Sequence, residues 1–325
     1  MRFYSVVIPV YNRPQEVLEL LESLTQQTFK NFEVLIIEDG STEDCKDIVA
    51  SFEDQLAIQY HFKPNSGQGF TRNFGFDLAK GDYLVVFDSD CLIPAHYFEA
   101  VEAHLAEHRL DAFGGPDRAH ESFTPLQKAI SYSMTSPFTT GGIRGNKKHA
   151  GTFHPRSFNM GISREVYQKT KGYIITRKGE DIEFSIRIIN NGFQTGLIPE
   201  AYVYHKRRTS LGQFYKQLRF FGTARVNIRR FFPSELKLIH TFPAAFVIGL
   251  IVWLSTFFWS MMLFEVGAGL IVVFALLNFL HSLMLNRSLW VAFLSIATSF
   301  TQLMAYGIGM MSEAFKSGDQ PRSQK

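Results

Sequence analysis

The segment Tyr83–Cys91, YLVVFDSDC, decides how the chain is read. Tyr83, Leu84, Val85, Val86 and Phe87 form an unbroken apolar run, the pattern of a parallel strand buried on both faces. The run stops at two carboxylates, Asp88 and Asp90. Residues two apart at a strand end point to one side, so both acids can face a single crevice. In open α/β sheets, ligands bind in the crevice beyond the carboxyl ends of the strands. Paired acids there repel each other unless a cation or a proton offsets the charge. A hard divalent cation carrying a substrate diphosphate is one answer, and a solvated Asp-Ser turn is the other.

Upstream, strand and helix patterns alternate. Phe3–Val10 reads as a strand, and Pro14 suits the first turn of a helix running to about Gln27. Phe32–Glu38 is a second strand, followed by Asp39, Gly40 and Ser41 and a helix to about Glu53. Leu56–Phe62 is a third strand, and a Gly-rich turn then opens a helix from about Gly69 to Ala79. This order predicts an α/β fold with a mostly parallel, Rossmann-like sheet, flanking helices and right-handed crossovers. The glycines of GQGFTRNFG follow the third strand rather than the first, so they are not a dinucleotide-binding fingerprint. Downstream, Ser157–Ile162 reads as a strand and Arg164–Thr170 as a helix. GED at 179–181 then opens an amphipathic helix with Ile182, Ser185, Ile186 and Ile189 on one face.

Five segments in this order, SVVIPVYNR (5–13), EVLIIEDGS (33–41), NSGQGFTRNFGFDLAKGDYLVVFDSDC (65–91), NMGISREVYQKTKGY (159–173) and GEDIEFSIRI (179–188), resemble the ordered signature of family 2 glycosyltransferases with the GT-A fold. The resemblance covers roughly residues 4–205. It implies inverting transfer of a sugar from a nucleotide diphosphate donor, usually with a divalent cation.

By position, the resemblance places Pro9, Tyr11 and Asn12 in the nucleotide pocket and Asp39 on the base, where a carboxylate suits an imide N–H. An N-capping role beside Ser41 and Thr42 remains open for Asp39. Asn65, Gly67, Arg72 and Asn73 would border the nucleotide and its diphosphate, although Arg72 equally suits a helix surface. Asp88 would sit near the ribose or the metal, and Asp90 would ligate the metal directly. The ion would bridge the donor's phosphates and stabilise charge on the leaving group. Oxygen ligands favour Mg²⁺ or Mn²⁺, which leaves Cys91 as packing. His205 resembles the histidine that completes the metal site in relatives, with a surface histidine beside a basic run as the alternative. Asn159 and Met160 match positions shaping the sugar-facing pocket. Glu180 and Asp181 are good helix starters in any case. The resemblance makes Asp181 the general base, a role typically worth ~10²–10⁴-fold. The paired flanking carboxyls that a glycosidase needs have no counterpart.

Between the halves, Thr139–His154 is Gly-rich, basic and aperiodic, which predicts a mobile loop with Lys147, Lys148 and His149 solvated. Two cysteines, Cys45 and Cys91, are too few for a disulfide framework and suit a reducing compartment. Met1 leads straight into a strand-like segment, so no signal peptide is expected. The net charge of +3 in 325 residues says less than its distribution. Residues 201–234 carry Lys206, Arg207, Arg208, Lys216, Arg219, Arg225, Arg229 and Arg230 and no acid. Leu211, Phe214, Leu218 and Phe221 recur among them at helical spacing. Such a basic amphipathic helix, at 209–235, is expected to lie on anionic lipid headgroups rather than on nucleic acid. QLRFFG lacks the QxxRW spacing of processive polysaccharide synthases, which counts against that activity.

Three apolar segments follow, 241–264, 266–286 and 288–312, with Glu265 and Arg287 expected at the turns. The first is uncharged and would span ~36 Å as a helix, more than the ~30 Å bilayer core. Residues 1–208 are then the GT-A domain and 313–325 a disordered tail. The positive-inside rule predicts a multi-pass protein of the cytoplasmic (inner) membrane with its catalytic domain facing the cytoplasm. The basic tail would fall on the far side of three crossings, so one segment is a candidate for a re-entrant path. The expected activity is membrane-anchored, cation-dependent transfer from a nucleotide sugar, a UDP-sugar for preference, to a lipid-linked or membrane-presented glycan. Transfer to polyprenyl phosphate is the near alternative. A silent GT-A scaffold or sugar-nucleotide sensor and a nucleotidyltransferase are the distant ones; the latter would need a Gly-rich basic loop where PVYNRPQ stands.

Overall fold

The protein is described from a computed structural model covering residues 1–120, 122–140 and 153–316. Lys147, Lys148 and His149, with most of the predicted loop, and residues 317–325 of the predicted tail lie outside the described residues. The chain forms two compact units. One comprises Met1–His120 and 153–206; the other comprises 122–140 and 207–316.

The first unit opens with β1 (Tyr4–Val10), α1 (Pro14–Thr25), β2 (Phe32–Asp39), α2 (Lys46–Ala50) and β3 (Ile58–Lys63). It continues through α3 (Gln68–Leu78), β4 (Tyr83–Phe87), β5 (Cys91–Leu92), α4 (Tyr97–Glu107), β6 (Ala112–Gly114) and β7 (Asp117–Arg118). Helices α5 (Pro125–Thr135) and α6 (Pro137–Thr140) belong to the second unit. The first unit resumes with β8 (Asn159–Ser163), α7 (Arg164–Thr170), α8 (Glu180–Asn190), β9 (Thr195–Leu197) and β10 (Val203–His205).

Seven strands form the main sheet in the order β3-β2-β1-β4-β8-β6-β9. β1 is parallel to both β2 and β4, and β3 extends the parallel set beyond β2. β8 runs antiparallel to β4 and to β6. The chain steps outward from β1 through β2 to β3 and then crosses to β4 on the other side of β1. That reversal opens a crevice at the carboxyl ends of β1 and β4. Both faces of the sheet are covered, which is why its strands read as continuous apolar runs. Val6, Ile8, Val34, Ile36, Val85 and Phe87 pack on one face. Val7, Leu35, Ile37, Leu84 and Val86 pack on the other. A small second sheet, β5-β10-β7, pairs His205 with Cys91. That pairing brings residue 205 beside the 88–91 turn.

The second unit continues with α9 (Leu211–Phe231), α10 (Phe242–Thr256), α11 (Met261–Asn286) and α12 (Leu289–Ala314). Among the described residues, Leu238–Thr256, Met261–Asn286 and Leu289–Ala314 are long and apolar enough to cross a membrane. The first apolar segment breaks at Phe257–Ser260, where Ser260 donates its N–H to Thr256 O and its hydroxyl caps the next helix. Glu265 therefore lies inside α11, not at a turn. Arg287 does end a helix, in the left-handed conformation at φ 50°.

Helix α9 differs from the expectation in one respect. Phe214 and Leu218 of its apolar stripe are buried against Ile130 and Met134 of α5 and Ala305 of α12, so protein rather than lipid covers them. The close crossing of α9 and α12 depends on small residues. A Cβ on Gly222 would collide with the Tyr306 carbonyl, and one on Gly309 with the Arg219 carbonyl.

Candidate active site

Strand ends and helix starts converge on the crevice beside β1 and β4. At the end of β2, the Asp39 carboxylate lies buried in a cage of donors. Lys63 donates to Oδ1, the Ser66 N–H to Oδ1 at 2.8 Å and the Gly67 N–H to Oδ2 at 2.9 Å. Burial pushes this carboxyl up, but Lys63, Ser66 and Thr71 outweigh it and hold the group below the usual aspartate range. Gly67 adopts φ 86°, and a Cβ there would strike the Thr176 hydroxyl. The turn before α3 thus needs glycine on two counts. Asn65 donates to Asp39 O at 2.8 Å.

Asn12, in the left-handed region at φ 53°, accepts from the N–H groups of Thr42 and Glu43 through its side-chain oxygen. It thereby ties the loop after β2 to the end of β1. Tyr11 beside it is half exposed. Glu38, fully buried, receives Ser41 Oγ and the Cys45 N–H and fixes the same loop from beneath.

Asp88, beyond β4, receives Arg72 Nη2 at 2.8 Å. Arg72 is itself buried and gives Nη1 to Glu180 at 3.3 Å. One guanidinium from α3 therefore joins the acid turn to the start of α8. Glu180 also accepts from Gln68. Burial and the neighbouring Asp181 charge push the Glu180 carboxyl up. Asp181 is pulled the other way. Burial would raise it, yet the Arg156 guanidinium at 3.1 Å, Arg72 and the Ile182 N–H hold it below the usual range. Adjacent acids with pKa values driven apart are a recurrent mark of acid–base function.

Asp90 takes His205 Nε2 on Oδ1 and Arg13 Nη1 on Oδ2, each at 3.0 Å. Asp90, Cys91 and His205 each bring one ligand-capable atom to within 4.8 Å of the others. Carboxylate oxygen with imidazole nitrogen suits a hard or borderline divalent ion. The Cys91 thiol does not: burial pushes its pKa well up, and it faces Phe158 O at 3.6 Å. The residues fit a divalent cation held by Asp90 and His205, with Asp88 at the same turn.

The remaining expected residues lie deeper. Asn73 exchanges hydrogen bonds with the Tyr173 backbone, Asn159 bridges Tyr97 and Ala201 O, and Met160 is fully buried. All three side chains are buried. Pro9 lies within β1, opposite Ile37 of β2. Sequence reading missed Arg13, Lys63 and Arg156, whose partners stand 77, 24 and 25 residues away.

A family description, Glycosyl transferase family 2, matches residues 5–170. The chain belongs to glycosyl transferase family 2. An uncharacterized glycosyltransferase of Haemophilus influenzae is 42% identical over 216 residues, covering 64% of this chain and 70% of that one. The mannosyltransferase PcManGT from Pyrobaculum calidifontis, solved with GDP-Man and Mn²⁺, superposes at a TM-score of 0.64 with 17% identity. It covers 92% of this chain and 87% of its own. S. aureus TarS 1-349 with UDP-GlcNAc gives 0.50 and 21%, over 69% of this chain and 67% of that one. These likenesses show the GT-A fold. The chain spans only 22%, 16% and 13% of three Rickettsia relatives to which it is 43% identical.

Proposed function

We propose that the protein is a membrane-associated, inverting glycosyltransferase that uses a nucleotide-diphosphate sugar, a UDP-sugar by preference, and a lipid-linked or membrane-presented glycan acceptor. The observation that carries the mechanism is the split pair at the start of α8. Asp181 is kept anionic by Arg156 while Glu180 beside it is pushed up and engaged by Arg72. An ionised carboxylate with spare lone pairs can take the proton of an acceptor hydroxyl as that oxygen attacks the sugar.

Asp90, His205 and Asp88 would hold Mg²⁺ or Mn²⁺, which when bound offsets the charge gathering on the departing diphosphate. Asp39 and Tyr11 would receive the base, with Asn12, Asn65 and Gly67 shaping the floor beneath it. Arg72 keeps Asp88 and Glu180 in fixed relation, so the donor and base sides of the crevice share one strut.

The three long apolar helices support membrane association, and the basic residues of α9 support a cytoplasmic-side catalytic unit. Those same basic residues favour a second acceptor, polyprenyl phosphate, whose anionic group they would attract. The test is nucleoside diphosphate release by full-length protein in nanodiscs, with UDP-GlcNAc and GDP-mannose, Mn²⁺ or Mg²⁺, and soluble or lipid-linked acceptors. Release that is metal-dependent and accelerated by lipid-linked acceptor is expected. Equal rates with soluble acceptor would overturn the acceptor class, and pyrophosphate release would overturn the reaction. An acid-labile lipid product with one sugar would identify the polyprenyl route.

A further inference from the structure

Arg156 stands on the short segment that leads into β8, outside every motif that marks the family in this sequence. Its carbonyl accepts the Asn159 N–H at 3.0 Å, so its backbone is tied to the sheet. Next to it, Ser157 meets the Tyr173 hydroxyl at 3.1 Å, in the buried wall behind the crevice. From this fixed base the guanidinium reaches Asp181 Oδ2 at 3.1 Å. The other oxygen, Oδ1, accepts the Ile182 N–H at 2.8 Å. The carboxylate is therefore held at both oxygens, by one side-chain donor and one backbone donor. Each oxygen keeps a lone pair for a further partner. The Asp181 side chain is 22% exposed and that of Arg156 32%, so the pair borders the crevice without being sealed off.

We propose that Arg156 is a positioning residue for the general base, clamping Asp181 Oδ2 so that the carboxylate presents its open lone pair to the acceptor hydroxyl. The inference rests on Asp181 being the base. A helix-starting aspartate in water needs no such partner, since the helix N-terminus already favours its charge. A reacting carboxylate does, because a free χ rotation would swing it off the line of attack. Among the described residues, the charged and titratable groups facing Asp181 are Arg156 and Arg72, which stabilise its anion, and Glu180 and Tyr173. Among the described residues, Arg72 is already bound to Asp88 and Glu180, which leaves Arg156 as the cation committed to Asp181.

The test uses full-length protein in nanodiscs with Mn²⁺, UDP-GlcNAc or GDP-mannose and a lipid-linked acceptor, following nucleoside diphosphate release as a function of pH. Arg156→Gln is expected to lower kcat about tenfold with the donor KM within twofold of wild type. Its acid limb should move up by about one pH unit, since a carboxylate that loses a neighbouring cation binds its proton more tightly. Arg156→Lys should return the limb towards wild type, and Arg156→Met is the neutral substitute should glutamine not fold. Adding Arg156→Gln to Asp181→Asn should cause no further loss, because Arg156 acts through Asp181.

An unmoved acid limb with unchanged kcat, or a loss confined to donor KM, overturns the inference while leaving the proposed function standing. A further loss in the double variant would also overturn it. If the wild-type protein releases no nucleoside diphosphate from either donor, it is the proposed function that has failed.

Discussion

The two units of the chain are built inside out relative to each other. In the first, Tyr4, Phe87, Phe98 and Phe113 are fully buried, and charged side chains gather at the rim where β1, β2 and β4 end. In the second, Leu270, Val272, Leu276 and Leu285 face outward while Asn278, Ser282, Ser295 and Ser299 are wholly buried. Apolar side chains leave water in the one case; in the other, helices long and apolar enough to cross a membrane turn their polar side chains to each other. Buried polarity therefore means different things in the two places. At the rim it is a set of ion pairs. Between α11 and α12 it is a row of neutral hydrogen bonds, Asn278 with Ser299 and Ser282 with Ser295, that holds helices together.

The sharpest test of this contrast is Asp181→Asn, which keeps shape and removes the proposed base. A loss of ~10²–10⁴ in kcat is expected, with donor binding retained. Nucleoside diphosphate release and UDP-induced thermal shifts measure the two quantities. Turnover at the wild-type rate would make the rim acids structural, like the buried groups of α11 and α12.

How much of this was readable from the sequence follows from the range of each interaction. Asp39, Asp88, Asp90 and Asp181 stand at strand ends or a helix start, positions that local pattern marks directly. The apolar spans were equally plain, since length and composition suffice for them. What stayed hidden were partners chosen by the fold. Arg13 reaches Asp90, Lys63 reaches Asp39 and Arg156 reaches Asp181 across chain separations that carry no period. The covering of Phe214 and Leu218 was hidden for the same reason, because an amphipathic stripe does not say whether protein or lipid will meet it. The break at Phe257–Ser260 lay inside one uncharged run, where hydropathy has no feature to mark it.

A second test removes one of those hidden partners. Lys63→Met leaves the buried Asp39 without its cation, a loss that typically costs about 3 kcal/mol. The pH dependence has a definite sign. Asp39 has a folded pKa below its unfolded value, so its contribution is complete above the unfolded value and fades as pH falls through the folded one. Without Lys63 the folded pKa rises towards or past the unfolded value, so the variant is less stable at neutral pH and should lose less stability than wild type on acidification. Denaturant unfolding at several pH values follows this. An unchanged pH profile would mean that the backbone N–H groups of Ser66 and Gly67 hold the charge unaided.

The corresponding test in the second unit is steric. Gly309→Leu drives a side chain into the Arg219 carbonyl and should separate α9 from α12, at about 1–3 kcal/mol. Thermal unfolding in detergent should show the loss. Nucleoside diphosphate release at temperatures below that transition reports whether the first unit feels it. A variant as stable as wild type would mean that the close crossing is not needed.

The smallest effect is the most instructive about solvent. In Asn278→Leu the Ser299 hydroxyl loses its acceptor on α11, and the Phe274 carbonyl loses the Nδ2 donor at 2.9 Å. Were these helices packed in water, an apolar residue at a fully buried site would tend to stabilise them. In a bilayer, burial of leucine gains little, because the lipid is as apolar as the protein interior. The lost hydrogen bond then dominates, and a destabilisation of about 0.6 kcal/mol is expected, small because helices separated in lipid find other partners. SDS-driven unfolding from mixed micelles resolves such differences. A clear gain in stability would show that the seam between α11 and α12 behaves as an aqueous core, and the inversion drawn between the two units would be lost.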